Sequence, residues 1–300
     1  MEHAKLKPLM YDPDYYTKTF HAYAKRSAKF QVLSTWGDTV FPQQVVNRLV
    51  ERFPADSTVQ MLGIGSGSGE MDSKMAAKIR AHFKAVQNIV IEPAASQLEM
   101  YRKLIADGKE GFAGIDFDLR EDTLDGYRRK LNETGVHPKY HFISAIHSVY
   151  YVDDLNDTIR YLHDCLEDGG MLLIIVVGDT SGFWNLWQRY ARFQDKNSHY
   201  MCTQDLRDAF NANGIPFTVV RQASRVDITS CFDPESEEGN LIVDFLAHVC
   251  DLRGSGTPEL HQEVLDYLGS AECSERKDDG TVLFNNDWDA FIVQKGKGQT

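Results

Sequence analysis

Val59-Gln60-Met61-Leu62-Gly63-Ile64-Gly65-Ser66-Gly67-Ser68-Gly69-Glu70 is a short apolar run that breaks into glycine at every second position. Asn88-Ile89-Val90-Ile91-Glu92-Pro93 follows it as a second apolar run closed by an acid. Short bounded runs of this composition read as buried parallel strands. Between them, Glu70 to Phe83 has helical spacing, with Met71, Met75, Ala76, Ile79 and Phe83 on the inward side. The pattern is strand, glycine turn, helix, second strand. Glycines let the backbone turn sharply and let a ligand approach where a Cβ would otherwise stand. Glu92, at the tip of the second strand, is an acceptor-only carboxylate able to take both hydroxyls of a ribose. Together they imply an adenosine-containing cofactor.

The spacing narrows which one. A dinucleotide fingerprint would read G-x-G-x-x-G, whereas glycine here falls at 63, 65, 67 and 69, with serine at the packing position 68. No Gly-Lys-Ser/Thr follows to hold phosphate and Mg²⁺, which excludes a P-loop. The alternating form resembles the G-x-G-x-G turn of S-adenosylmethionine-dependent methyltransferases.

Further along, apolar bursts alternate with helical patterns. Ala94 to Ile105 reads as a helix, Ile115 to Arg120 as a third strand and Lys139 to Ile146 as a fourth. Asp153 to Cys165 places Leu155, Ile159, Leu162 and Cys165 on one helical face, with Gly169-Gly170 read as its stop before the buried strand Met171 to Val177. Phe217 to Val220 and Val282 to Val293 would complete the sheet. This alternation predicts an α/β fold whose mostly parallel sheet is flanked by helices and binds ligands at the carboxyl ends of its strands. The first 36 residues and a stretch from about Arg225 to Gly280, acidic with two helical patterns, stand outside the alternation. Such insertions commonly supply a lid.

Composition excludes several classes. A net charge of −12 is the wrong sign for non-specific nucleic-acid binding. The five cysteines are odd in number and lack C-x-x-C spacing, which points to a reducing cytosol and away from a disulfide framework or zinc site. No apolar run approaches a membrane span. The scattered histidines and the absence of a carboxylate cluster leave no metal site to assign. A cytoplasmic monomer acting on a small molecule, with no nucleic-acid or membrane partner, is the expectation.

At this level of detail the chain resembles the histamine N-methyltransferases, class I S-adenosylmethionine-dependent enzymes. The resemblance runs nearly end to end. It is carried by Ile91-Glu92-Pro93-Ala94 with Gln97, Ser148-Val149-Tyr150-Tyr151-Val152, Leu173 to Val177, Leu186-Trp187, Asp227-Ile228 with Cys231-Phe232, Asp244-Phe245-Leu246, and Leu283-Phe284-Asn285-Asn286 with Phe291-Ile292-Val293. It implies a Rossmann-like sheet with an antiparallel last strand, in a single unit over 1–300. Residues 37–224 and 281–300 would form the S-adenosylmethionine-binding core, and 1–36 and 225–280 a helical substrate cap. By similarity, Gly65, Glu92, Gln97 and Ile146 bind the cofactor, which leaves as S-adenosylhomocysteine. The family's serine contact after the third strand falls at Leu124, so Thr123 beside it is the substitute. Tyr16, Phe20, Tyr151, Phe183, Trp187, Phe193 and Phe245 match the aromatic box around an imidazole ring, and Asn286 matches a substrate-contacting asparagine.

Two positions depart from the family. His147 stands where glutamine is usual, after the fourth strand. Lys29 falls where the family places a glutamate against the substrate, which reverses a charge. At about 4 Å two unit charges interact by roughly 1 to 4 kcal/mol, so the swap can turn attraction of an ammonium tail into repulsion. The expected reaction is methyl transfer to a ring nitrogen of a histamine-like imidazole amine. The alternative set by Lys29 is another small amine, an imidazole acid, or an amino acid or dipeptide, and the non-enzymatic alternative is a protein that only binds S-adenosylmethionine. No residue is assigned as an essential acid or base.

Overall fold

The computed structural model describes residues 6–108, 110–193, 200–296 and 298. Among them the strands are β1 (Thr58–Ile64), β2 (Ala85–Ile91), β3 (Ile115–Arg120), β4 (Tyr140–Ile146), β5 (Leu166–Val177), β6 (Thr218–Gln222), β7 (Arg225–Asp227), β8 (Ser274–Arg276), β9 (Val282–Asn285) and β10 (Trp288–Gln294). Seven form one sheet in the order β3-β2-β1-β4-β5-β10-β6, and β7-β9-β8 form a second. The pairs β1/β2, β2/β3, β1/β4 and β4/β5 are parallel. β10 runs antiparallel to β5. The Gly169 N–H donates to the Lys295 carbonyl at the start of β5, and the Gly178 N–H donates to the Asp287 carbonyl just past its end. The winding reverses between β1 and β4, and in an open α/β sheet a ligand crevice lies at that switch point, outside the carboxyl ends of the strands.

The chain separates into two compact units. One comprises Leu33–Val176, Gln204–Val220 and the chain from Asp289, and holds most of the seven-stranded sheet. The other comprises the chain to Val32, Val177–Thr203 and Arg221–Trp288, and holds the three-stranded sheet.

In the first unit the core follows from the pattern. β1 buries Val59, Met61, Leu62 and Ile64, and the helix Glu70–Arg80 adds Met75, Ala76 and Ile79. Met71, expected on that face, is only half-buried, and its place is taken by Asp72 and Ser73. In the second unit the helix Pro13–Arg26 starts where Asp12 caps the Tyr15 N–H and Pro13 sets the first turn. The helices Gly182–Arg189, Glu237–Ala247 and Pro258–Leu268 are likewise capped by Ser181, Ser236 and Thr257.

Two expectations are corrected. Gly169-Gly170 do not stop a helix. The helix Leu155–Asp164 closes at Cys165, and both glycines lie inside β5, where Gly169 takes φ +89 beside an irregularity in the β4/β5 register. A left-handed residue within a strand is the mark of a bulge. Nor is Val282 to Val293 one strand. It breaks at Asn286-Asp287, where the Asp287 N–H turns back onto the Asn285 side chain and its carboxylate pairs with Arg225, so β9 and β10 enter different sheets. Among the described residues no helix is long and apolar enough to cross a membrane.

Gly69 is tightly packed within the turn. It has φ +88, and an added Cβ would sit 2.3 Å from the Tyr101 ring. Gly69→Ala combines a left-handed penalty with overpacking, so urea denaturation should show a loss of about 2–4 kcal/mol.

Candidate cofactor and substrate sites

The turn after β1 is held open by three left-handed glycines, Gly65 (φ +60), Gly67 (φ +55) and Gly69 (φ +88). Side chains would fill this space. A Cβ on Gly65 would lie 2.4 Å from Ser148 Cβ, while one on Gly67 would lie 3.7 Å from Gln97 Oε1. Ser148, which the sequence reading left without a role, donates its hydroxyl to the Ile64 carbonyl at 2.6 Å and pins the loop after β4 to the end of β1.

Glu92 is 7% exposed at the tip of β2. One carboxylate oxygen accepts the Gly67 N–H at 2.9 Å and the other the Ala94 N–H at 2.9 Å. Each oxygen retains lone-pair capacity, so the group can still accept two hydroxyls. Gln97 follows in the first turn of the helix Ala95–Asp107, with its amide over the glycine turn. Ile146 closes β4, half-buried and paired with Ile175 of β5. Thr123 caps the helix Leu124–Thr134, its hydroxyl accepting the Gly126 N–H at 3.0 Å. That hydroxyl accepts one bond at the helix cap and keeps its proton to offer. The open cradle and the acid beyond it fit an adenosine cofactor with a flexible amino-acid end.

His147 has φ +52, uncommon for a residue with a side chain. The conformation is held by its N–H donating to the Ile175 carbonyl at 2.8 Å and by Nδ1 lying 3.1 Å from the Tyr150 hydroxyl. Strained backbone of this kind clusters at functional sites. Tyr151 belongs to the short turn Val149–Tyr151, and its side chain lies outside the described residues.

The remaining candidates gather in the other unit. Phe245 is the hub: its ring centroid lies 6.0 Å from Tyr16, 5.8 Å from Phe20, 4.4 Å from Tyr23 and 6.4 Å from Phe183. Trp187 lies 5.2 Å from Phe183 and donates its indole N–H to the Leu246 carbonyl. Phe193 stacks on Tyr190 at 5.0 Å, and both border a small cavity with Trp187 and Tyr200. Tyr23 was missed. It stands on the same helix as Phe20, one turn on, and burial pushes its phenol up to about 12, which keeps it protonated. Asn286, 3% exposed, donates its amide to the Tyr23 hydroxyl at 2.8 Å and to the Ser27 hydroxyl at 3.5 Å. With its N–H groups so placed, the amide oxygen is the end left to accept.

His248 and Tyr200 were also missed. The Tyr200 hydroxyl lies 2.8 Å from His248 Nδ1, and the His248 ring is 5.1 Å from Trp187. Desolvation pushes His248 down to about 4, so it is neutral at working pH. Lys29 opens the helix Lys29–Phe41 and is half-buried. Desolvation alone lowers its ammonium to about 8, and among the described residues no carboxylate acts to raise it.

A methyltransferase domain model matches residues 39–222. Histamine N-methyltransferase of Xenopus tropicalis is 32% identical over 97% of this chain and 98% of its own length. The chain belongs to the histamine N-methyltransferase family. Carnosine N-methyltransferase 2 of Gallus gallus is 29% identical over 93% of this chain and 86% of its own. Among solved structures, the YcgJ protein of Bacillus subtilis aligns with a TM-score of 0.52 at 13% identity, covering 84% of this chain and 98% of that one, a likeness of fold. This family member is an S-adenosylmethionine-dependent methyltransferase, and its mixed sheet has the class I arrangement.

Glu92→Gln replaces one acceptor with an amide that must oppose the Gly67 or Ala94 N–H. Loss of one charge-assisted bond should weaken S-adenosylhomocysteine binding by roughly 10- to 100-fold, read by calorimetry.

Proposed function

We propose that this chain transfers methyl from S-adenosylmethionine to a ring nitrogen of a small imidazole compound. Gly65, Glu92 and Gln97, with Ile146 and Thr123 beside them, hold the cofactor, which supplies the electrophilic methyl. The aromatic cluster of Tyr16, Phe20, Phe183, Trp187, Phe193 and Phe245 holds the substrate. The observation that carries the reading is Asn286. Its amide nitrogen is engaged by Tyr23 and Ser27 and its oxygen is left to accept. An oxygen that accepts the ring N–H fixes the tautomer whose other nitrogen keeps its lone pair, and flat aromatic walls exclude water from that nucleophile. Two relatives named for different substrates support the ring as the common element, since histamine and carnosine share an imidazole and differ in the tail.

For the tail, Lys29 favours an imidazole acid or dipeptide over histamine. A half-buried ammonium with no carboxylate acting on it attracts an anionic tail and repels a cationic one. We place the protein in a reducing, cytosolic setting, a reading supported by five cysteines that are all buried free thiols.

Methyl transfer from labelled cofactor to histamine, histidine, carnosine and imidazole acids tests both parts. The acids should exceed histamine in kcat/KM by about tenfold or more, with the order reversed in Lys29→Glu. A wild-type preference for histamine overturns the tail assignment, and transfer to none of the imidazoles overturns the ring. The pH dependence has a definite sign. Lys29 is charged below about 8, so KM for an acidic substrate should climb as pH rises through that value and stay flat in Lys29→Met.

A further inference from the structure

Beneath the glycine turn lies a buried carboxylate that no part of the reading above uses. Asp72, in the first turn of the helix Glu70–Arg80, is 3% exposed. One of its oxygens accepts from the Asn88 amide of β2 at 2.6 Å and from the Tyr101 hydroxyl at 2.6 Å. The Ser144 hydroxyl of β4 reaches the other at 3.5 Å, and the Ser66 hydroxyl, from within the turn, flanks that same oxygen beside Gly63. A Cβ on Gly63 would stand 2.3 Å from Asp72 Oδ1 and 2.4 Å from Ser66 Oγ. Tyr101, which bonds to Asp72, is also the ring packed against Gly69. One side chain thus ties together β2, β4, the helix after β2 and both ends of the glycine turn.

We propose that Asp72 is a positioning residue that sets the Gly63–Gly69 turn in its cofactor-accepting shape, acting through Ser66 and Tyr101 and never touching the cofactor itself. A buried acid is costly, and Asp72 is satisfied because donors converge on it from β2, β4 and the helix Ala95–Asp107. The carboxylate at the positive end of its helix is favoured further. A turn made of left-handed glycines has little rigidity of its own, since glycine gives up more freedom on ordering than any other residue. The Asp72 network supplies that rigidity before the cofactor arrives, so binding does not have to order the turn.

The test is a reciprocal exchange, read by calorimetry with S-adenosylhomocysteine and by Tm. Asp72→Asn places amide hydrogens against the Asn88 and Tyr101 donors and should lower Tm and weaken binding about 10-fold or more. Adding Asn88→Asp restores one acid facing one amide but moves the charge to β2, away from Ser66. This double variant should recover Tm while affinity stays weak. Ser66→Ala, which leaves the Asp72–Asn88 bond intact, should weaken binding about 5-fold at unchanged Tm. Wild-type affinity in the double variant together with Ser66→Ala would overturn the proposal and leave Asp72 a purely structural acid. Recovery of affinity in step with Tm would overturn it as well.

Discussion

Three left-handed residues in five, at Gly65, Gly67 and Gly69, are the constraint on which the rest of this molecule depends. They bring the chain off β1 and into the helix Glu70–Arg80 while leaving a hollow bordered by Ser148, Gln97 and Tyr101. Everything nearby is arranged to keep that hollow open. The Glu92 carboxylate reaches across to the Gly67 N–H, Ser148 bonds to the end of β1, and Tyr101 lies flat where a side chain on Gly69 would be. The parallel sheet matters to function because it delivers these groups to one edge, where the winding reverses between β1 and β4.

The other unit is organised around aromatic packing. Its aromatic rings pack on one another around Phe245, and the polar groups among them are given partners. Tyr23 and His248 are both kept neutral by desolvation, and Asn286 spends its donors on Tyr23 and Ser27. Lys29 is the exception, a half-buried cation that desolvation weakens and no acid supports. A charge left in that condition costs stability unless something else completes it, the role proposed above for a substrate anion.

What the sequence made legible was whatever depends on local pattern. β1, β3 and the acid at the tip of β2 are readable because apolar runs end abruptly at glycine or charge. Gly169-Gly170 misled because the same pair that stops a helix also fits a bulge, and only the pairing of β4 with β5 distinguishes the two. The break at Asn286-Asp287 depends on Arg225, some 60 residues earlier in the chain, so no window around the break contains its cause. Asp72 was overlooked for a related reason. An acid in the first turn of a helix ordinarily faces water and answers the dipole, and nothing local says that Asn88, Tyr101 and Ser144 converge on it. Tyr23 was within reach, one helical turn from Phe20, but its partner Asn286 lies at the opposite end of the chain.

Glu92 is proposed to read ribose hydroxyls beside the glycine turn, and the most direct measurement compares two ligands on two proteins. S-adenosylhomocysteine and its analogue lacking both ribose hydroxyls are titrated into the native chain and into Glu92→Ala. The account predicts that the native protein binds the analogue at least about tenfold more weakly and that the difference largely disappears in the variant. Equal binding of both ligands to the native protein, or an undiminished difference in the variant, would contradict it.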